Sequence, residues 1–341
     1  MTGTKIDLSD LTLLPPLINA HDHLELNHYP RTKFREFYPN AHVWGEDVSA
    51  RLNDESFRSL RAIPLEDQLF IGGLKNLLCG ALIVVQHNPP HRALFRREFP
   101  VRVVRRYAWA HSLHFSNPAA IQRIYRQAKF WRLPFYIHIG EGIDALAAAE
   151  LPRLDALLGG DLTRIALIHG VGLRSHDVTK FAPRVRGLII CPTTNRYLLN
   201  AVPNARAWVA AGGRIALGSD SRLTAAGDLL DELQAAHTLY GDLPYQPEAI
   251  TGTRPQIEDL IAVRGGAPLH TARRSDLALV MRGGIPLIGD PEIMARFSRT
   301  ATIPALLDGQ PKAIHAALAR QITACSLRVP GLAIDSEYPG R

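Results

Sequence analysis

Short apolar runs alternate with amphipathic stretches along this chain, and the runs share one habit: they stop at polar residues capable of chemistry. Leu17-Ile18-Asn19-Ala20 stops at His21-Asp22-His23. The run 81–85 ends at Gln86-His87-Asn88, and the run 101–110 continues through Trp109 into His111, Ser112 and His114. Residues 134–139 carry His138 and lead to Glu141, and 165–168 lead to His169-Gly170. The run 187–190 meets Cys191-Pro192-Thr193-Thr194-Asn195, and 215–218 meets Ser219-Asp220-Ser221. Runs this short and this apolar suit strands of a parallel sheet covered on both faces. Helical periods fall between several of them. Residues 66–78 place Phe70, Leu74, Leu77 and Leu78 on one face, with acids first and Gly80 after. Asn117-Pro118 supplies a cap and a first-turn proline for a helix carrying Ile121, Ile124, Tyr125 and Ala128. Residues 228–237 also read as helix.

This alternation predicts an α/β fold, a (β/α)8 TIM-type barrel over 15–275. Polar residues at the C-terminal strand ends then share the active-site face of such a barrel. Between the 81–85 strand and the His138 strand the pattern gives one clear strand where a barrel needs two. A distortion is therefore expected around the third strand, with a compressed strand somewhere in 87–100. The ends of the chain differ. A strand at 11–14, strands at 276–281 and 285–288 around Arg282-Gly283-Gly284, and a helix at 313–322 predict a reduced or vestigial β-sandwich plus a C-terminal helix, from 1–14 and 276–341. The clear break Gly265-Gly266-Ala267-Pro268 precedes them. Residues 25–64 lose all period and are rich in aromatics. They read equally as a functional loop beside the site strand and as an excursion packing its own rings.

Composition narrows the class. A hydrophobic fraction of 46% over 341 residues is ample for a large core, and a net charge of +7 is scattered rather than gathered into a tail. Nucleic-acid motifs and spanning-length apolar runs are missing, so the expectation is no nucleic acid and no membrane. Three distant cysteines argue for a reducing, cytoplasmic setting. The oligomeric state stays open, a homo-oligomer included.

The first site stretch carries His21 and His23 two positions apart, hence on one face of a strand and half of a metal site. With 14 His in the chain, chance pairs of this spacing are common, so the pair gains meaning only from the polar strand ends downstream of it. His21-x-His23, His138-x-x-Glu141, His169-Gly170 and Gly218-Ser219-Asp220, in that order, resemble the ordered signature of the amidohydrolase superfamily. The likeness is to its metal-dependent aminohydrolases: adenosine, cytosine, guanine and S-adenosylhomocysteine deaminases, and triazine hydrolases. Residues 14–21 and Cys191-Pro192-Thr193-Thr194-Asn195 are similar to stretches in that branch.

Chemistry points the same way. His21, His23, His138 and Asp220 offer three nitrogens and one oxygen, enough for a catalytic zinc, or iron, with one position open for water. Glu141, three residues after His138, suits a proton shuttle. His169 could orient hydroxide or stabilise developing charge, and Asp220 could also accept the water proton. Binuclear relatives bridge their metals with a modified lysine, and 101–115 contains none, so the resemblance implies one divalent ion. His28, Arg31, Trp109, His111 and Asn195 are candidates to contact a small-molecule substrate. The expected reaction is hydrolytic deamination of an amino-substituted heterocycle. Hydrolysis of an amide, cyclic amide or ring C–Cl bond is the alternative, and a silent ligand-binding barrel the third.

Overall fold

The computed structural model describes residues 6–266 and 268–334. The first five residues, Ala267 of the predicted Gly-Pro break and the end of the 276–341 segment lie outside the described residues.

β1 (Leu11–Leu14) leads into β2 (Leu17–Asp22), which pairs in parallel with β3 (Ala81–Gln86), itself parallel to the short β4 (Arg102–Val103). β5 (Ala108–Ser112), β6 (Phe135–Ile139), β7 (Ile165–His169), β8 (Gly187–Ile190) and β9 (Ile215–Leu217) form a second parallel sheet in chain order. The continuous ladder is interrupted between β4 and β5 and between β9 and β2. Hydrogen bonds reach across both gaps. Asp220 N donates to His21 O at 3.1 Å, and the Tyr107 hydroxyl beyond β4 donates to Gln86 O. Glycine is required at 218, because a Cβ there would lie 2.6 Å from the His21 Cβ.

The strand predicted over 101–110 is in fact two. The exposed pair Arg105-Arg106 interrupts it, Arg105 donating to Phe95 O. The compressed strand is thus β4, and the 87–100 window holds only a short 3-10 turn, Arg92–Phe95.

The remaining strands are β10 (Leu260–Arg264), β11 (Leu277–Arg282), β12 (Ile285–Gly289), β13 (Thr302–Leu307), β14 (Gln310–His315) and β15 (Leu332–Ile334). With β1 they make one seven-stranded antiparallel sheet, where the sequence predicted a reduced sandwich. β10 joins it from within the segment predicted as barrel. β13 and β14 form a hairpin on Asp308 (φ 50) and Gly309 (φ 80), the left-handed pair of a two-residue hairpin turn. The helix predicted at 313–322 begins later, at Ala316–Ala324, because its first residues belong to β14.

Two cores organise the packing. One joins β5–β9 to helices such as Pro118–Phe130 and Ala145–Leu157. In the other, Leu74 and Leu77 of helix Leu65–Leu78 meet Val84 of β3 and Ile261, Val280 and Ile314 of the terminal sheet. That helix is buried on nearly every side. Among the described residues no helix is long and apolar enough to cross a membrane.

Helix Leu65–Leu78 comes closest to the site at Gly72, where a Cβ would lie 2.2 Å from the carbonyl oxygen of Leu24, the residue after His23. Gly72→Ala should therefore lower stability by about 1–3 kcal/mol through overpacking. Urea unfolding reads this directly, and an unchanged midpoint would contradict the close approach.

Candidate metal centre and cavity

The C-terminal ends of β2, β6, β7 and β9 converge on one point. His21 Nε2 lies 3.3 Å from His138 Nε2, and the Asp220 Oδ1 lies 3.8 Å from His21 Nε2 and 3.7 Å from His23 Nε2. Donors around a tetrahedral zinc, with bonds near 2.0–2.1 Å, stand about 3.4 Å apart. Two overlapping buried groups have the spacing to hold a metal ion, His21, His23, His87 and His138 in one and His21, His169 and Asp220 in the other. All of these side chains are buried, and the Nδ1 atoms of His23 and His138 have no hydrogen-bond partner. Burial first, then neighbouring imidazoles, holds His21 and His138 well below the usual histidine range, so their nitrogens are free to ligate.

A buried polar network carries this set. Lys75 Nζ sits 3.0 Å from Asp22 Oδ2, with both side chains fully buried. It also donates to Ser219 Oγ (2.9 Å) and to the Asp220 carbonyl (3.0 Å). Asn76 and Asn27 donate to Asp22 at 2.7 and 2.9 Å, and Asn19 donates to Ser219 and Asn76. Asp22 alternates with His21 and His23, so it points back into the helix as they point into the site.

On the opposite side, Glu141 Oε1 lies 3.4 Å from His169 Nε2. Burial, then the charges of Asp220 and Glu150, pushes the Glu141 carboxyl well above its ordinary range. Asn195 Nδ2, a donor only, faces His169 Nδ1 at 3.0 Å. That places the His169 proton on Nε2, toward Glu141. Burial pulls His169 down to about 4, against the opposing pull of Asp220. His169 (φ 74) and Asp220 (φ 54) both have left-handed backbones, a strain of about 1–3 kcal/mol each that concentrates at functional sites. Asp220 is held there by Ser221 N donating to its Oδ1 (2.8 Å) and by Thr224 Oγ1 donating to its Oδ2 (3.2 Å).

A cavity of about 250 Å³ opens over these groups. Its wall combines His111, Ser112 and Phe115 with Ala41, His42, Trp44 and Gly45, so residues 25–64 do build part of the site. His111 lies with its ring centroid 4.9 Å from that of His138. The other proposed contacts stand elsewhere. His28 bonds Leu60 O, and Arg31 bonds Thr224 O and Thr193 O while stacking on Tyr197; neither lines the cavity. Trp109 packs edge-on against His87, and Asn195 supports His169 from behind.

Sequence reasoning missed several participants. His87 bonds His21, and its cue was visible as one more strand ending in a histidine. His42 pairs with Glu150 at 2.8 Å, while Glu150 also accepts from Gly140 N at 2.7 Å, beside Glu141. Lys75 and Asn76 sit on a helix with no local signal of their role.

No protein-family model matches the chain, and no curated protein sequence matches it. Solved structures do share its fold. An adenosine deaminase from Xanthomonas campestris with bound zinc is 17% identical with a TM-score of 0.61, over 81% of this chain and 80% of that one. Atrazine chlorohydrolase TrzN from Arthrobacter aurescens TC1, complexed with zinc, is 16% identical with a TM-score of 0.63, over 85% and 88%. Aminofutalosine deaminase from Helicobacter pylori, in complex with methylthio-coformycin, is 15% identical with a TM-score of 0.62, over 82% and 87%. At these identities the likeness is one of fold. The class defined by fold and site together is an α/β protein with a His3Asp constellation at its strand ends.

Removing the lysine tests the buried network. Lys75→Met leaves Asp22 buried without its counter-charge and should cost about 3–5 kcal/mol in chemical denaturation; wild-type stability would show that the pair supports nothing. Acid tests the proton-handling side. An unfolded histidine titrates near ~6.5, whereas His169 resists its proton down to about 4. Below ~6.5 the unfolded chain gains a proton that the folded chain refuses, so stability falls with pH until about 4, by about 3 kcal/mol from this residue. The melting temperature of chelator-treated protein should drop over that window. A flat profile would remove the neutral, buried assignment.

Proposed function

We propose that this protein is a metal-dependent hydrolase. Its two parallel sheets together make a (β/α)8 barrel, and His21, His23, His138 and Asp220 would hold one zinc ion. The reading rests on a single observation: three imidazole nitrogens and a carboxylate converge beneath a cavity that Glu141 also lines. A divalent ion held there would bring the pKa of a water molecule toward ~7.

The chain's own groups divide the remaining work. Asp220 is placed to take the proton that water gives up. Glu141, its carboxyl pushed well above the ordinary range by burial, is placed to hand a proton to a ring nitrogen of the substrate. His169, with its N–H turned to Glu141 and the cavity, donates to charge developing at the reacting carbon's substituents. His111, Phe115 and Trp44 give aromatic surface for a flat ring. The reaction is hydrolytic deamination of an amino-substituted heterocycle of the purine, pyrimidine, pterin or triazine type. The exocyclic C–NH2 bond breaks, ammonia leaves, and the water oxygen stays on the ring carbon. The deaminases among the structures of like fold support this bond. The chlorohydrolase among them favours a second reading, in which the same site displaces another group from a ring carbon.

Protein purified without chelator should carry about one zinc per chain and release ammonia from aminated heterocycles. Glu141→Gln should keep that zinc and slow turnover by ~10²-fold or more. Undiminished turnover by the variant would place the proton shuttle elsewhere, and failure of the wild type to take up metal would end the hydrolase reading.

A further inference from the structure

Two pairs of adjacent arginines, Arg96-Arg97 and Arg105-Arg106, flank β4. The fold gathers three of these side chains, with Arg102 and Arg282, around a second cavity of about 310 Å³. It shares no lining residue with the cavity over the metal centre. It sits where the parallel sheet has no outer helix. β2 and each of β5–β9 are followed by an α-helix, whereas β3 is followed by the 3-10 turn Arg92–Phe95, and β4 passes into β5 through residues 104–107. The recess left beside β4 is bounded by that turn and by Arg282-Gly283, where β11 turns into β12.

Five guanidiniums line this recess and, among the described residues, no carboxylate does. Two of the five are compensated from outside it. Arg96 makes a bidentate pair with Glu66, both contacts at 2.9 Å, and Arg102 pairs with Asp259. Asp259 is already shared with Gly283 N (2.8 Å) and Gln256 N (3.0 Å). Arg105 donates to the Phe95 carbonyl (2.8 Å), and Arg282 donates to the carbonyls of Arg97 (2.9 Å) and Phe99. Those bonds fix the two forks without neutralising them. Arg97 has no carboxylate partner among the described residues. Glu98 is felt by Arg282, yet it does not line the recess. Burial, then the charge of Arg102, pulls Arg282 below the ordinary guanidinium range. Like charges held over a concave wall raise the local potential and concentrate anions there.

We propose that this recess binds a phosphorylated small molecule, its diphosphate or triphosphate group held by Arg97, Arg102, Arg105 and Arg282. Three guanidiniums without a carboxylate partner call for more than one negative charge. Planar forks match phosphate oxygens two at a time, which a point charge cannot do. A concave site suits a small anion, because a membrane or a duplex would touch only its rim. Phe95 and Val103 give the uncharged part of the ligand an apolar surface. The site stands independently of the hydrolase reading.

The test titrates the full chain calorimetrically with inorganic tripolyphosphate and, separately, with orthophosphate. Wild type is compared with the double variant Arg97→Gln, Arg105→Gln. Both substituted side chains are exposed and far from the ligand set in role, so the variant should fold and keep its metal content, which circular dichroism and elemental analysis check. The metal centre is common to both proteins, so any anion binding or zinc loss there cancels in the comparison. Wild type should bind tripolyphosphate with saturation, about tenfold or more tighter than orthophosphate, and more weakly as salt is raised. The double variant should bind it about 10–100-fold more weakly. Absence of saturable binding by the wild type would overturn the proposal, as would equal binding by the two proteins or equal affinity for the two anions. If the double variant does not fold, Arg97→Gln alone decides, with a loss of about tenfold expected and wild-type affinity overturning the proposal. Arginine-dependent binding to phosphatidylglycerol vesicles or duplex DNA, with tripolyphosphate left unbound, would make the recess a docking face for a larger polyanion and overturn it too.

Discussion

Lys75 and Asp22 form an ion pair with no access to water, 3.0 Å apart at the junction of helix Leu65–Leu78, β2 and the end of β9. A buried pair stands only when its remaining donors and acceptors are filled. Here Asn76, Asn27 and Ser219 fill them. The consequence is positional. Asp22 lies between two of the proposed ligands, His21 and His23, and the carbonyl that Lys75 grips belongs to a third, Asp220. One electrostatic contact therefore sets the separation of three of the four donor side chains. The glycine at 72 serves the same end, because it lets the helix come near enough for Lys75 to reach.

The side of the site that carries Glu141 and His169 is built by other means. His169 and Asp220 occupy backbone conformations that side chains rarely adopt. Each is held by bonds from groups that do no chemistry, Asn195 for one and Ser221, Thr224 and Lys75 for the other. Rigid donors in fixed tautomers need little rearrangement as charge moves, which is where such a site gains rate.

Much of this was legible in one dimension. Polar residues at strand ends can be read because a buried parallel strand is apolar throughout, so His138, His169 and Asp220 mark where each strand meets open space. Adjacency along the chain misled where the chain turns. His28 and Arg31 follow His23 closely, yet they bond to Leu60 and to Thr193 and Thr224 instead of facing the cavity. Lys75 was unreadable because a helix normally points lysine at water, and nothing local announces that Asp22 waits inside. The hairpin of β13 and β14 was hidden by Pro304 and Pro311, although Asp308-Gly309 between them is a strong turn signal. Arg105-Arg106 broke one apparent strand in two for the plain reason that both side chains stay in solvent.

The proposed ligands come from three strand ends, those of β2, β6 and β9, whereas much of the cavity wall comes from the single excursion between β2 and β3. These two parts of the molecule carry different physical constraints. A change at Asp220 must answer to the buried network, whereas Ala41, Trp44 and Gly45 belong to the cavity wall. The fold thus keeps a fixed reaction apparatus beside one contiguous, exchangeable segment. New substrates could be acquired by rewriting that segment, or replacing it outright, with the chemistry left intact.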